Sequence, residues 1–151
     1  MTGPVEVRVR RLPEGSDLPM PIQATAHAAG FDLRARVEGT LVLPVSGRAK
    51  VPTGIALQLP TGYEAQVRPR SGLAIRCGLT LLNSPGTIDA DYRGEVSVIL
   101  VNLGDKPVTI ERGDRVAQLV IQKLPSIRLA EVDELEPTDR GAAGFGHTGH
   151  R

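Results

Sequence analysis

Residues 79–102 read LTLLNSPGTIDADYRGEVSVILVN. Leu79 to Asn83 and Val96 to Asn102 are aliphatic runs of strand length. Between them Gly86-Thr87-Ile88-Asp89-Ala90-Asp91-Tyr92-Arg93-Gly94-Glu95 carries three carboxylates, an arginine and a tyrosine. Two β-runs around a polar, glycine-bounded bend predict a hairpin, with residues 86–95 as its turn. A solvated, charge-rich loop would account for the polarity. A turn needs only one or two polar residues, however, and an Ile-Asp step beside a Tyr-Arg step puts chemistry-capable side chains at the bend.

The same period of two recurs along the chain. Val5, Val7 and Val9 alternate with charges. Leu41 and Leu43, Ile55 to Leu59, Glu64 to Arg68, Val108 to Ile110 and Val116 to Gln122 follow as short strands. Seventeen glycines and 12 prolines stand largely between these runs, where they act as turn signals. Many short strands with such punctuation predict an all-β sandwich, barrel or jelly roll. The best helix candidate is the short segment Ser71 to Cys77.

At 151 residues the chain is one domain by length. Eighteen basic residues balance 17 acidic ones, so no global field draws it onto nucleic acid, and stable nucleic-acid binding is not expected. Aromatics make up 3%, too few for a base-stacking platform. No apolar stretch approaches the roughly 18 residues of a membrane helix, and Met1 to Arg10 lacks the apolar core of a secretory signal. The single cysteine, Cys77, fits a reducing, cytoplasmic setting.

Several short constellations carry chemistry. Pro69-Arg70-Ser71-Gly72 ends a strand and opens the helical turn. Its serine is either an N-cap beside a surface arginine or part of a backbone anion nest to which Arg70 adds a donor. Gln118, among the apolar residues of 116–121, needs backbone or ligand partners. Asp32, between Phe31 and Leu33 in a strand, reads either as an ion-paired carboxylate or as an outer ligand of a hydrated cation. His27, His147 and His150 form no zinc-type spacing, so a metal would be a hard ion such as Mg²⁺ held by phosphates and water. The composition divides the chain into a β-domain over 1–124, an acidic linker over 125–139 and a glycine-rich arm over 140–151. A disordered tail is the simplest account of that arm. Phe145 between two glycines, with Arg140 nearby, suits a flap that orders over a planar anionic ligand.

Five segments in order resemble the trimeric dUTPase family: Ala29-Gly30-Phe31-Asp32-Leu33, Pro69-Arg70-Ser71-Gly72, Gly86 to Val96, Arg112-Gly113-Asp114-Arg115-Val116-Ala117-Gln118-Leu119, and Arg140 to Gly149. The resemblance covers nearly the whole chain. It implies a jelly-roll-like, distorted β-barrel that assembles as a homotrimer with shared active sites and a flexible C-terminal arm. It implies hydrolysis of dUTP to dUMP and pyrophosphate with Mg²⁺, which limits uracil incorporation into DNA and supplies dUMP for dTTP synthesis. A dCTP deaminase of the same fold is the alternative.

Carried over by residue, the resemblance makes Asp89 the base that activates water. It places Tyr92 under the deoxyribose, and Asn83, Gly86, Thr87, Ile88 and Ser97 along the uracil edge. Arg70, Ser71 and Gly72 would hold phosphates, and Gln118 would bind a phosphate oxygen or fix the water. Arg140, Gly146, His147 and Thr148 would close on the triphosphate, Phe145 would cap the base, and Asp32 would reach Mg²⁺ through water. Ala143 stands where a glycine is common in the last motif, and Ser84-Pro85 stiffens the approach to Gly86. Neither change removes a chemical group.

Overall fold

The computed structural model describes residues 3–145. Among them are ten strands: β1 Arg8–Arg11, β2 Phe31–Arg34, β3 Thr40–Leu43, β4 Arg48–Gln58, β5 Tyr63–Arg68, β6 Leu79–Leu81, β7 Gly86–Ile88, β8 Glu95–Asn102, β9 Val108–Glu111 and β10 Arg115–Lys123. One helix, α1 Ser71–Cys77, and a 3₁₀ turn at Pro13–Gly15 complete the set. One four-stranded sheet runs β1-β4-β8-β6, a second runs β2-β10-β5-β7, and β3-β9 form a two-stranded ribbon. Every pairing is antiparallel. The all-β expectation holds.

The core follows from alternation. Val96, Val98 and Leu100 on β8 are buried, while Glu95, Ser97 and Ile99 point to the other face. Burying each such aliphatic side chain contributes roughly 1.5–3 kcal/mol. These residues join Leu33, Val67, Leu119 and Ile110 in one cluster drawn from both sheets and the ribbon. The sheets therefore share one core, as in a sandwich. Asn102 at the end of β8 is fully buried. Its amide donates to the carbonyls of Leu43 (3.1 Å) and Lys106 (2.8 Å), and its oxygen accepts from Gly104 N (2.9 Å).

The hairpin expectation needs one correction. β6 does pair with β8, Leu81 opposite Leu100, but residues 86–95 are more than its turn. Gly86–Ile88 leave that sheet and pair with β5 as an edge strand of the other, with Val67 opposite Gly86 and Ala65 opposite Ile88. Only after Ile88 does the chain bend and return as β8. The excursion ties the two sheets together directly beside Asp89.

Two strands are also displaced from their expected bounds. β4 begins well before Ile55 because Pro52 and Gly54, which read as breakers, sit at an irregularity between Pro52 and Ala56. Gly54 has φ +76° there, and its backbone approaches Gly15 so closely that a Cβ on Gly15 would stand 2.6 Å from Gly54 Cα. β1 begins at Arg8, later than the alternation from Val5 suggests. Beyond Lys123 the described residues form no strand. Ile127, Leu129, Leu135 and Phe145 are all exposed. No helix among the described residues is long and apolar enough to cross a membrane.

Candidate active site

A cleft of about 280 Å³ opens where the bend after β7 meets the outer face of β8. Thr87, Ile88, Asp89 and Tyr92 line one side, and Glu95, Ser97 and Ile99 the other. A smaller cleft shares Thr87, Ile88, Ser97 and Ile99 with it and adds Asn83 and Gly86. The residues expected to read uracil and sugar therefore lie together. Of the two aspartates in the bend, Asp89 faces the cleft and Asp91 does not line it. The Asp89 side chain is exposed and makes no hydrogen bond among the described residues, so both carboxylate oxygens are open to water.

The bend is held by its own groups. Tyr92 N donates to Asp89 O (3.2 Å), and Arg93 Nη1 donates to Ala90 O (2.7 Å) and Tyr92 O (2.9 Å). The Tyr92 ring lies over Gly94, where a Cβ would meet Tyr92 Cζ at 2.6 Å. The Tyr92 hydroxyl donates to Glu95 O (3.1 Å). The Glu95 carboxylate accepts from Arg36 Nε (2.9 Å) and Nη2 (3.2 Å) and from Gly54 N (2.8 Å). Burial alone would push this carboxyl up; the Arg36 guanidinium and the Gly54 N–H outweigh it and hold it below the usual range.

A second group forms around Arg70. Arg70 is the N-cap of α1 in extended conformation, so Ser71 is the first helical residue and not the cap. The amides of Ser71 and Gly72 consequently have no carbonyl of the helix to reach. Arg70 Nη1 donates to Arg115 O (3.0 Å), and its Nε faces Asp32 Oδ1 (3.4 Å). Asp32 Oδ2 faces Arg115 Nη1 at 3.4 Å. This is the ion-paired reading of Asp32: a largely buried carboxylate between two guanidiniums. Gln118 is opposite Asp32 in the β10–β2 register; its Nε2 donates to Pro69 O (3.0 Å). Gln118 thus fastens the Pro69–Arg70 corner to β10 through a backbone partner.

Arg115 and Lys50 escape the sequence reading. Arg115 sits among turn residues, and nothing in the chain order announces that it meets Asp32. Lys50 reaches the Asp89 cleft only because the β4–β8 register sets it opposite Ile99.

The two groups are separate in one chain. Arg70 and Arg115 line a cleft of about 270 Å³ that shares no residue with the Asp89 cleft. Arg140 and Phe145 line neither: Arg140 Nε donates to Ala143 O (2.8 Å), and Phe145 is fully exposed. Gly146, His147 and Thr148 lie outside the described residues. Among the described residues no three His, Cys, Asp or Glu side chains gather. The Asp32 carboxylate, shared between Arg70 and Arg115, is a hard oxygen donor of the kind Mg²⁺ takes.

Comparison with known proteins identifies the chain. A family model described as dUTPase matches residues 16–149. A deoxyuridine 5'-triphosphate nucleotidohydrolase of Caulobacter vibrioides is 53% identical over 145 residues, 95% of this chain and 94% of the relative. One from Methylocella silvestris is 52% identical over 151 residues, 99% and 94% of the two chains. Among solved structures, a Staphylococcus bacteriophage 80alpha dUTPase with dUpNHpp superposes with a TM-score of 0.85 at 27% identity, covering 95% of this chain and 98% of its own. A phage phi11 dUTPase described for its coordination of a structural Mg(II) ion gives 0.75 at 26% identity over 85% and 97%. The chain belongs to the dUTPase family, and its activity is that of a dUTP diphosphatase.

Proposed function

We propose that dUTP is cleaved at its α-phosphorus by water activated at Asp89, in a site completed by more than one copy of the chain. A lone pair of the water attacks phosphorus, the bond to the α,β-bridging oxygen breaks, and pyrophosphate leaves. The proton of the water passes to the Asp89 carboxylate. No covalent enzyme intermediate is needed. The observation that carries this reading is the open carboxylate of Asp89 in one cleft with Tyr92, Thr87 and Ile88.

Uracil would be read by main-chain groups of Gly86, Thr87 and Ile88 with Asn83 and Ser97. Those strand-like donors and acceptors mispair with the amino group of cytosine, and the walls exclude a 5-methyl group. Tyr92 would lie beneath the deoxyribose and exclude a 2′-hydroxyl. Arg70, Ser71, Gly72 and Gln118 would hold the phosphates, with Arg140, Gly146, His147 and Thr148 closing on them and Phe145 capping the base. Arg115 joins this phosphate group by its position beside Arg70 and Asp32.

A homotrimer accounts for the split between the two clefts, since a substrate spanning sugar and triphosphate needs both at once. Mg²⁺ carried in on the triphosphate would neutralise phosphate charge, with Asp32 near it through water. In a cytoplasmic setting the reaction would keep uracil out of DNA and provide dUMP for dTTP synthesis. The deaminase alternative is not favoured, because the matched relatives are nucleotidohydrolases.

The test is pyrophosphate release from dUTP with Mg²⁺, beside UTP, dTTP and dCTP, with ammonia followed in parallel. Release from dUTP alone supports the pocket and the sugar filter together. Ammonia from dCTP would sink the reading.

A further inference from the structure

We infer that Arg36 and Glu95 are a positioning pair that holds the Tyr92 ring, and through it set how firmly the enzyme rejects a ribonucleotide. The inference rests on the reading of Tyr92 as the sugar filter and extends it to Glu95 on the opposite side of the cleft and to Arg36 outside it.

Glu95 is anchored at one end and used at the other. Its carboxylate takes both Nε and Nη2 of Arg36 and the amide of Gly54. The side chains of Arg36 and Glu95 are 17% and 23% exposed, so water competes weakly for the pair. Its carbonyl, meanwhile, is the acceptor for the Tyr92 hydroxyl, and that hydroxyl has no other partner among the described residues. Arg36 is itself fixed, its amide donating to Pro52 O at 2.8 Å. Gly54 can present its N–H because the irregularity in β4 turns the backbone there to positive φ. Tyr92 is 46% exposed and rests on Gly94, which offers no side chain to stop it sliding. The hydrogen bond to Glu95 is therefore what fixes the ring along its length. A ring that can yield would admit an extra oxygen on the sugar; a ring that cannot yield would reject it.

A purely structural pair would change stability and leave the choice of sugar alone. The experiment compares kcat/KM for dUTP and for UTP in the wild type, Arg36→Met, Glu95→Gln, Tyr92→Phe and Tyr92→Ala, with thermal melting alongside. Arg36→Met and Tyr92→Phe are expected to lower the dUTP-over-UTP preference by about tenfold, mainly through better use of UTP. Glu95→Gln still offers an oxygen to Gly54 N and Arg36 Nε and should keep most of the preference. If Tyr92→Ala relaxes the preference while Arg36→Met and Tyr92→Phe leave it unchanged, the pair does not position the ring and the inference is overturned. If Tyr92→Ala also leaves it unchanged, the sugar-filter reading fails instead. Should Arg36→Met not fold, Tyr92→Phe decides alone, since it removes one hydroxyl from a half-exposed ring.

Discussion

Arg112 and Asp17, 95 residues apart, meet in a two-pronged ion pair: Nε to Oδ2 at 2.9 Å and Nη2 to Oδ1 at 2.6 Å. The same guanidinium also donates to the carbonyls of Glu14 and Val37. It thereby stitches the segment after the 3₁₀ turn, and the segment after β2, to the turn before β10. The Arg112 guanidinium lowers the Asp17 carboxyl to about 2. A carboxyl depressed in the folded state stabilises fully above its unfolded value, about 4. That contribution fades as pH falls toward 2. Asp17→Asn should therefore flatten the acid side of the curve of melting midpoint against pH. The two proteins should converge near pH 2 and separate above about pH 4. Because Asp17 is exposed, the gap should be small and shrink with salt. Parallel curves at all pH values would mean that the pair adds no stability.

Asp89→Asn should still bind nucleotide but lose at least ~10²-fold in kcat, the usual contribution of a general base. Asp91→Asn, two residues on and outside the cleft wall, should stay within a few-fold of wild type. Steady-state rates with dUTP, and binding of a non-hydrolysable analogue, separate the two. Equal losses in both variants would point to the charge of the bend and not to a base.

Removal of residues 139–151 should leave the melting midpoint unchanged, since no described residue beyond Lys123 belongs to a strand. Turnover of dUTP should fall by more than ~10²-fold as the groups meant to close over the substrate are lost. Normal turnover in the truncated protein would remove the arm from the site.

Gly15→Ala should cost about 1–3 kcal/mol in chemical denaturation, because the new methyl meets the Gly54 backbone. Gly144→Ala, with nothing within 4 Å of its added Cβ, should cost less than ~0.5 kcal/mol. A silent Gly15→Ala would mean that the 3₁₀ turn gives way without loss.

The alternation of apolar and polar residues made the sandwich legible, and the short helix at Ser71–Cys77 was legible in its bounds. Gly86–Ile88 was not. Three residues carry no period of their own, and which sheet they join depends on β5, some twenty residues earlier. Pro52 and Gly54 misled for a related reason: local rules read them as breakers, and only pairing with β8 absorbs them as an irregularity. In the candidate site, Asp89 and Tyr92 stood out because an Ile-Asp step beside a Tyr-Arg step is more than a turn requires. Arg36, Lys50 and Arg115 did not, because arginine and lysine in strands and turns are ordinary. Their significance comes from partners 49 to 83 positions away, in Glu95, Ile99 and Asp32.

The chain segment that changes sheets beside Asp89 has a bearing on how the enzyme would lose its activity. Thr87 and Ile88 are bonded to one layer, Ser97 and Ile99 to the other, and the pocket floor is the seam between them. Fraying of either layer alone would pull the pocket apart, so it has no private mode of melting. Amide exchange at Ile88 and Ser97 should then slow and quicken together across denaturant, in step with the loss of catalysis. Inactivation would report the cooperative collapse of the whole sandwich, and not the softening of one loop.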